Sequence, residues 1–179
     1  MTGASRHGAL VRIALFAAII AVLGLLPKID LPIAAGVPVT AQTLGVMLAG
    51  LILGPRNGAL AVILFLAIVA LGMPLLAGGR GGLGVFFGPT GGFLLGWIAG
   101  AFTTGVLMPR KAPGFATACL AAMAGGIVVI YAFGIPWLAM VSGMSLAKAA
   151  LASAIFLPGD ILKALAAAFV ASSIGAAAK

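Results

Sequence analysis

Six apolar runs, separated by proline, glycine and arginine, divide this chain: residues 10–26, 40–53, 57–71, 90–108, 114–133 and 158–176. Each reads as a helix, and together they predict an all-α membrane protein, a bundle of six transmembrane helices forming one integral domain over residues 1–179. A helix that crosses the ~30 Å hydrocarbon core needs about 20 residues, and the second and third runs fall short of that. Folding them into a re-entrant hairpin would carry Arg56, in the turn GPRNG, toward the bilayer centre at a cost of about 2.5–3.5 kcal/mol or more. Two short spans with Arg56 among the headgroups cost less.

Composition agrees with the pattern. Of 179 residues 64% are hydrophobic and 7% charged, against about a quarter charged in a soluble domain. The net charge of +8 does not point to nucleic acid, because the cations are scattered singly instead of gathered on one face. They do predict sidedness. With six spans, Arg6, Arg12, Arg56, Arg110, Lys111 and Lys179 share one side, while Lys28, Arg80 and Lys148 share the other, so both termini are expected in the cytoplasm of a multi-pass inner (plasma) membrane protein. MTGASRHGALVRIALF is read as the start of the first span and not as a secretory signal, since no cleavage site leads into a polar mature domain. Cys119 is the one cysteine and excludes an intrachain disulfide or a cysteine metal cluster.

The outer connections hold most of the polar groups: Lys28 and Asp30, the segment GVPVTAQT, the glycine-rich GGRGGLGVFFGPTGGFLLGW, Ser142 to Lys148, and PGDILK at the head of the last span. A ligand site at the outer face follows. Asp160 stands just inside a helix that opens with proline, where a carboxylate complements the helix dipole without further help. Lys163, three residues on, lies on the same face one turn deeper, where an ammonium in lipid is expensive. A structural ion pair is one reading; a pair facing the bundle interior is the other. In the second case a ligand meets acceptors and donors in one small patch, walled by Phe86, Phe87, Phe93 and Trp97. That suits a small, mostly apolar molecule with one polar head. Enzymatic chemistry does not fit, because His7 lies on the wrong side from Asp160 and no nucleophile has an adjacent base. Ala14 and Ala18, like Ala17 and Ala21, are four apart on the first span. Such a stripe serves either internal packing or the docking of another membrane protein.

The combination of VPVTAQTLGVMLAGLILGPRNG, GGLGVFFGPTGGFLLGW and LPGDILK closely resembles the BioY family, the biotin-specific substrate-binding components of energy-coupling factor transporters. The resemblance spans essentially the whole chain. It implies a six-helix S component that captures biotin from outside and works with a membrane-embedded coupling protein and two cytoplasmic ATPases, without a cofactor. It also implies that the PGDxxK pair, Asp160 and Lys163, meets the ureido head of biotin, and that the glycine-rich loop is a lid. Gln42, Gly82, Phe87, Gly91 and Trp97 join the pair as candidate binding residues, and Arg80 is assigned to the valerate carboxylate from its charge. No GxxxxGK[ST] is present, so any ATP-driven uptake would draw its energy from partners. An S component for another small vitamin, or a non-transporting structural membrane subunit, are the alternatives.

Overall fold

The computed structural model describes residues 3–27, 37–38, 40–109 and 114–177, and side chains from 7 to 174 within these. Lys28, Asp30, Arg110, Lys111 and Lys179, and the side chain of Arg6, therefore lie outside the described residues. All regular elements described are helical, apart from one isolated bridge between Leu76 and Arg80.

Helix α1 spans Gly3–Gly24, α2 Gln42–Leu53, α3 Pro55–Ala70, and α4 is a single turn at Gly84–Phe87. Next come α5 at Gly91–Leu107 and α6 at Phe115–Met123, which runs through a π-helical turn at Ala124–Val129 into α7 at Ile130–Ser142. Helices α8, Leu146–Ala154, and α9, Leu157–Ala177, complete the chain. Three stretches are long and apolar enough to cross a membrane: His7–Gly24, Phe115–Ser142 and Leu157–Ile174. Helices α2, α3 and α5 are apolar but shorter, with 12, 16 and 17 residues.

The turn between α2 and α3 is set by Gly54 at φ 79°, a conformation that a side chain would strain, followed by Pro55, whose fixed φ opens α3. At the centre of the bundle, α5 packs against α2, α3 and α7. Phe65 and Trp97 stack there at 6.3 Å and 27°. Close approach of α5 to α7 requires Gly92, where a Cβ would overlap the side chain of Trp137. Helices α6 and α9 meet through alanines, Ala118, Ala121 and Ala122 on one side and Ala164, Ala167, Ala168 and Ala171 on the other.

Two elements differ from the pattern of apolar runs. The fifth run does not stop at Phe133; the helix continues to Ser142 through Pro136. Proline inside a helix costs about 3 kcal/mol, but here it is offset by the packing of this segment on α5 and α8. The connection after Ser142 contains helix α8, nucleated by Ser145, whose Oγ accepts the backbone N–H of Lys148 at 3.3 Å.

The glycine-rich connection from Leu71 to Gly82 folds back onto the bundle. Leu76 and Arg80 exchange both backbone hydrogen bonds, at 3.0 and 3.1 Å, and Leu76 and Ala77 are buried. Gly78, Gly79 and Gly82 all have positive φ, which lets the chain reverse within this span.

Candidate functional site

One end of the bundle holds a cavity of about 60 Å³, several times the ~10–15 Å³ that one water requires. Its apolar wall is made by Phe93, Leu94 and Trp97 of α5, Ile130 of α7, Phe156 and Leu76. The rings are fixed against each other: Phe93 meets Tyr131 edge-on at 6.2 Å and Phe156 edge-on at 6.5 Å. Its polar lining comes from Thr40, Thr43, Tyr131, Asp160 and Lys163, together with Gln42, Thr90 and Arg80.

The polar wall is one connected network. Asp160 is 4% exposed, and its Oδ1 lies 2.6 Å from Lys163 Nζ. Thr43 Oγ1 donates to Asp160 Oδ1 at 3.2 Å, and the Tyr131 hydroxyl donates to Oδ2 at 2.7 Å. Lys163 Nζ also donates to the Thr40 carbonyl at 2.7 Å and to Thr43 Oγ1 at 2.8 Å. A buried ion pair offsets its desolvation only when its remaining donors and acceptors are met, and the two threonines and the tyrosine do that. The placement follows from the sequence. Pro158 stands in the first turn of α9, Asp160 in that same turn accepts stabilisation from the helix dipole, and Lys163 is one turn on over the same face.

Gln42 is built differently. It is 1% exposed; its Nε2 donates to the carbonyls of Ile20 at 3.1 Å and Leu75 at 3.2 Å, and its Oε1 accepts from Ala77 N at 3.0 Å. The side chain thus ties α1, α2 and the glycine-rich connection together.

Of the residues selected from sequence, Asp160, Lys163, Arg80, Gln42 and Trp97 line this cavity. Gly82, Phe87 and Gly91 do not. Phe87 is 74% exposed, at the end of a single-turn helix whose middle residues, Val85 and Phe86, pack against the core. Gly82 donates its N–H to the Val69 carbonyl at 2.8 Å and closes the loop, and Gly91 is held under the Phe86 carbonyl and the Trp137 ring. The loop instead supplies Leu76 and Arg80. Sequence reasoning passed over Tyr131, Thr43, Thr40, Thr90 and Phe156. Tyr131 is the one tyrosine in the chain, in the middle of an apolar run, and a polar tip there is a usable signal.

On α1, Ala14 and Ala18 are exposed, whereas Ala17 is buried and Ala21 half-buried. The two overlapping alanine stripes therefore face in different directions, one inward and one away from the bundle.

Among the described residues, an all-helical, apolar bundle with an ion pair in the wall of an aromatic-lined cavity has the build of a membrane-embedded small-molecule binding protein. The sequence model of the BioY family matches residues 1–179, and the chain belongs to that family. The chain is 54% identical over 172 residues to the biotin transporter BioY of Rhizobium etli, covering 92% of this chain and 91% of the relative. It is 49% identical to the biotin transporter BioY of Rhodobacter capsulatus, covering 90% of each. Among solved structures it resembles the S-component for biotin from an ECF-type ABC transporter, with a TM-score of 0.87 and 29% identity over 97% of this chain and 94% of that one.

Proposed function

We propose that this chain binds biotin in the cavity between α2, α5, α7 and α9 and is the substrate-binding component of a biotin uptake system. The observation that carries the reading is the Asp160–Lys163 pair at the polar end of an otherwise aromatic and aliphatic cavity. Biotin has the matching division: a ureido head with two N–H donors and one carbonyl, on an apolar ring and chain. Asp160 accepts from a ureido N–H. Lys163 has three donors and three present partners, so it reaches the ureido carbonyl by exchanging the Thr40 carbonyl for it, one acceptor for another. Trp97, Phe93 and Phe156 take the sulfur-containing ring, and Arg80 attracts the carboxylate from the loop above.

In this reading six spans cross the plasma membrane, both termini are cytoplasmic, and the cavity opens outward under the glycine-rich connection. A membrane-embedded coupling protein and two ATPases convert binding into uptake, and the exposed Ala14 and Ala18 of α1 are the docking stripe for the coupling protein. Equilibrium binding of labelled biotin to the purified protein in detergent tests the reading. Saturable binding, displaced by unlabelled biotin but not by riboflavin or thiamine, is expected. Displacement by one of those vitamins instead would assign a different S component, and no binding at all would leave a structural subunit.

A further inference from the structure

The connection between α3 and α5 has the composition of a segment in lipid, not of a loop in water. From Leu71 to Phe87 it reads LGMPLLAGGRGGLGVFF, and Arg80 is its one polar side chain. That arginine lines the cavity. From Gly72 to Ala77 every backbone N–H is met within the protein: Gly72 donates to the Val69 carbonyl, Met73 to Ile68, Leu75 to Met73, Leu76 to Arg80 and Ala77 to Gln42 Oε1, while Pro74 has none to place. Gly82 returns to the same Val69 carbonyl, which closes the neck of the loop beside Leu71 and Leu83. Non-helical backbone is tolerated at membrane depth where it packs on protein or lines a cavity, and Leu76 does both.

Helix length sets the depth of this segment. With 16 residues α3 rises about 24 Å, against the ~30 Å of the hydrocarbon core. If Arg56 stands among the headgroups at one end, the chain leaves α3 about 6 Å short of the far boundary, and any tilt deepens it. The exposed face of α3 runs through Leu60, Ile63, Leu64 and Ala67 at helical spacing and arrives at Leu71, which is 86% exposed. Met73, Leu83 and Phe87 carry the exposed apolar surface on beyond the helix.

We propose that the acyl chains of the leaflet at the cavity end are the partner of this surface: Leu71, Met73, Leu83 and Phe87 seat the connection at the hydrocarbon boundary. The part of the cavity wall made by Leu76 and Arg80 then has bilayer, not water, on its other side. Moving that wall displaces lipid. The inference rests on α3 as a span of the bilayer and not on which ligand the cavity takes.

Spin labels at Leu83→Cys and Phe87→Cys, each with Cys119→Ala, test this in lipid nanodiscs. Their depth is read from collisions with oxygen and with a water-soluble nickel chelate, calibrated by lipids labelled along the acyl chain. Both labels should keep oxygen collisions, lose chelate collisions and read below the phosphates. Chelate collisions at either position would place the connection in water, with the bilayer thinned to the length of α3, and would overturn the proposal. Loss of both collision partners would mean that protein, such as a second copy, covers the surface, and would overturn it too. Met73 answers in the unlabelled chain: its methyl resonance, assigned through Met73→Leu, should broaden with lipids carrying a nitroxide on the upper acyl chain and not with a soluble gadolinium chelate. The opposite pattern overturns the proposal without any labelled variant. A label at Ile63→Cys, midway along α3, is the control for the span itself. If that label reads as water, the spanning of α3 fails, which is a separate result from a water-exposed connection above a buried Ile63.

Discussion

Gln42 of α2 and Asp160 of α9 wall the same cavity, and both are polar side chains buried in apolar surroundings. They differ in where their hydrogen-bonding capacity goes. The Gln42 amide spends both donors and one acceptor site on three backbone groups, one in α1 and two in the glycine-rich connection. The Asp160 cluster is satisfied mainly by side chains, whose partners can be exchanged, and it keeps acceptor sites open to the cavity. One buried polar group is therefore a staple, and the other a recognition surface. Burial and proximity to a cavity do not separate the two; the valence left over does.

The largest expected effect on the comparison comes from Lys163→Met. It keeps the apolar stem but leaves a buried carboxylate without its counter-charge, at a cost of about 3–5 kcal/mol. Biotin affinity should fall a hundredfold or more, and the unfolding midpoint in detergent should fall with it. If the midpoint drops and affinity holds, the pair is structural and the distinction from Gln42 fails.

Asp160→Asn should act on binding more than on stability. It replaces half of an acceptor-only group with a donor, and a hydrogen bond to a charged group is worth about 1.5–3 kcal/mol, so affinity should fall about tenfold to more than a hundredfold. Isothermal titration decides this. Unchanged affinity would move the search for the polar head to Arg80 and Gln42.

Gln42→Leu should do the reverse. Losing three bonds frees buried backbone groups of Leu75 and Ala77, so amide exchange at residues 76–80 should accelerate by an order of magnitude or more, while affinity falls less than tenfold. Exchange that stays slow would show that the loop is held by the burial of Leu76 and Ala77 instead. The smallest effect on binding is expected from Ala14→Leu with Ala18→Leu. These positions face away from the cavity, so affinity should not change, while uptake in cells that supply the coupling partners should be lost. Weakened binding would mean that the stripe packs against the bundle after all.

Much of the helical organisation is visible in the apolar runs, because a chain in lipid must satisfy its backbone within each segment. The Asp160–Lys163 pair is legible for a related reason: two charges on one helical face are costly there unless something meets them. Tyr131 was not legible. Its meeting with Asp160, 29 residues away, depends on how α7 lies against α9 and on the register of α7, and neither leaves a mark in local sequence. Phe87 and Gly91 were selected because they follow the glycine-rich loop in sequence. In space the loop enters the bundle earlier, through Leu76; Phe87 turns outward, and Gly91 is buried against Phe86 and Trp137 instead of at the cavity. Helix α8 was missed because its nine residues, interrupted by Lys148, are too short to stand out as an apolar run, although their alanines favour a helix.

The π turn at Ala124–Val129 matters for anyone who would transplant this binding wall onto another helical scaffold. A wide turn accommodates an extra residue, and each residue advances an α-helix by about 100°. A donor helix copied from Ile130 onward, or regularised by removing a residue upstream, would deliver the tyrosine to a different side of the bundle. The portable unit is therefore longer than the residues that touch the cavity: it begins before Ala124, in a stretch of glycine and alanine that carries no binding chemistry of its own.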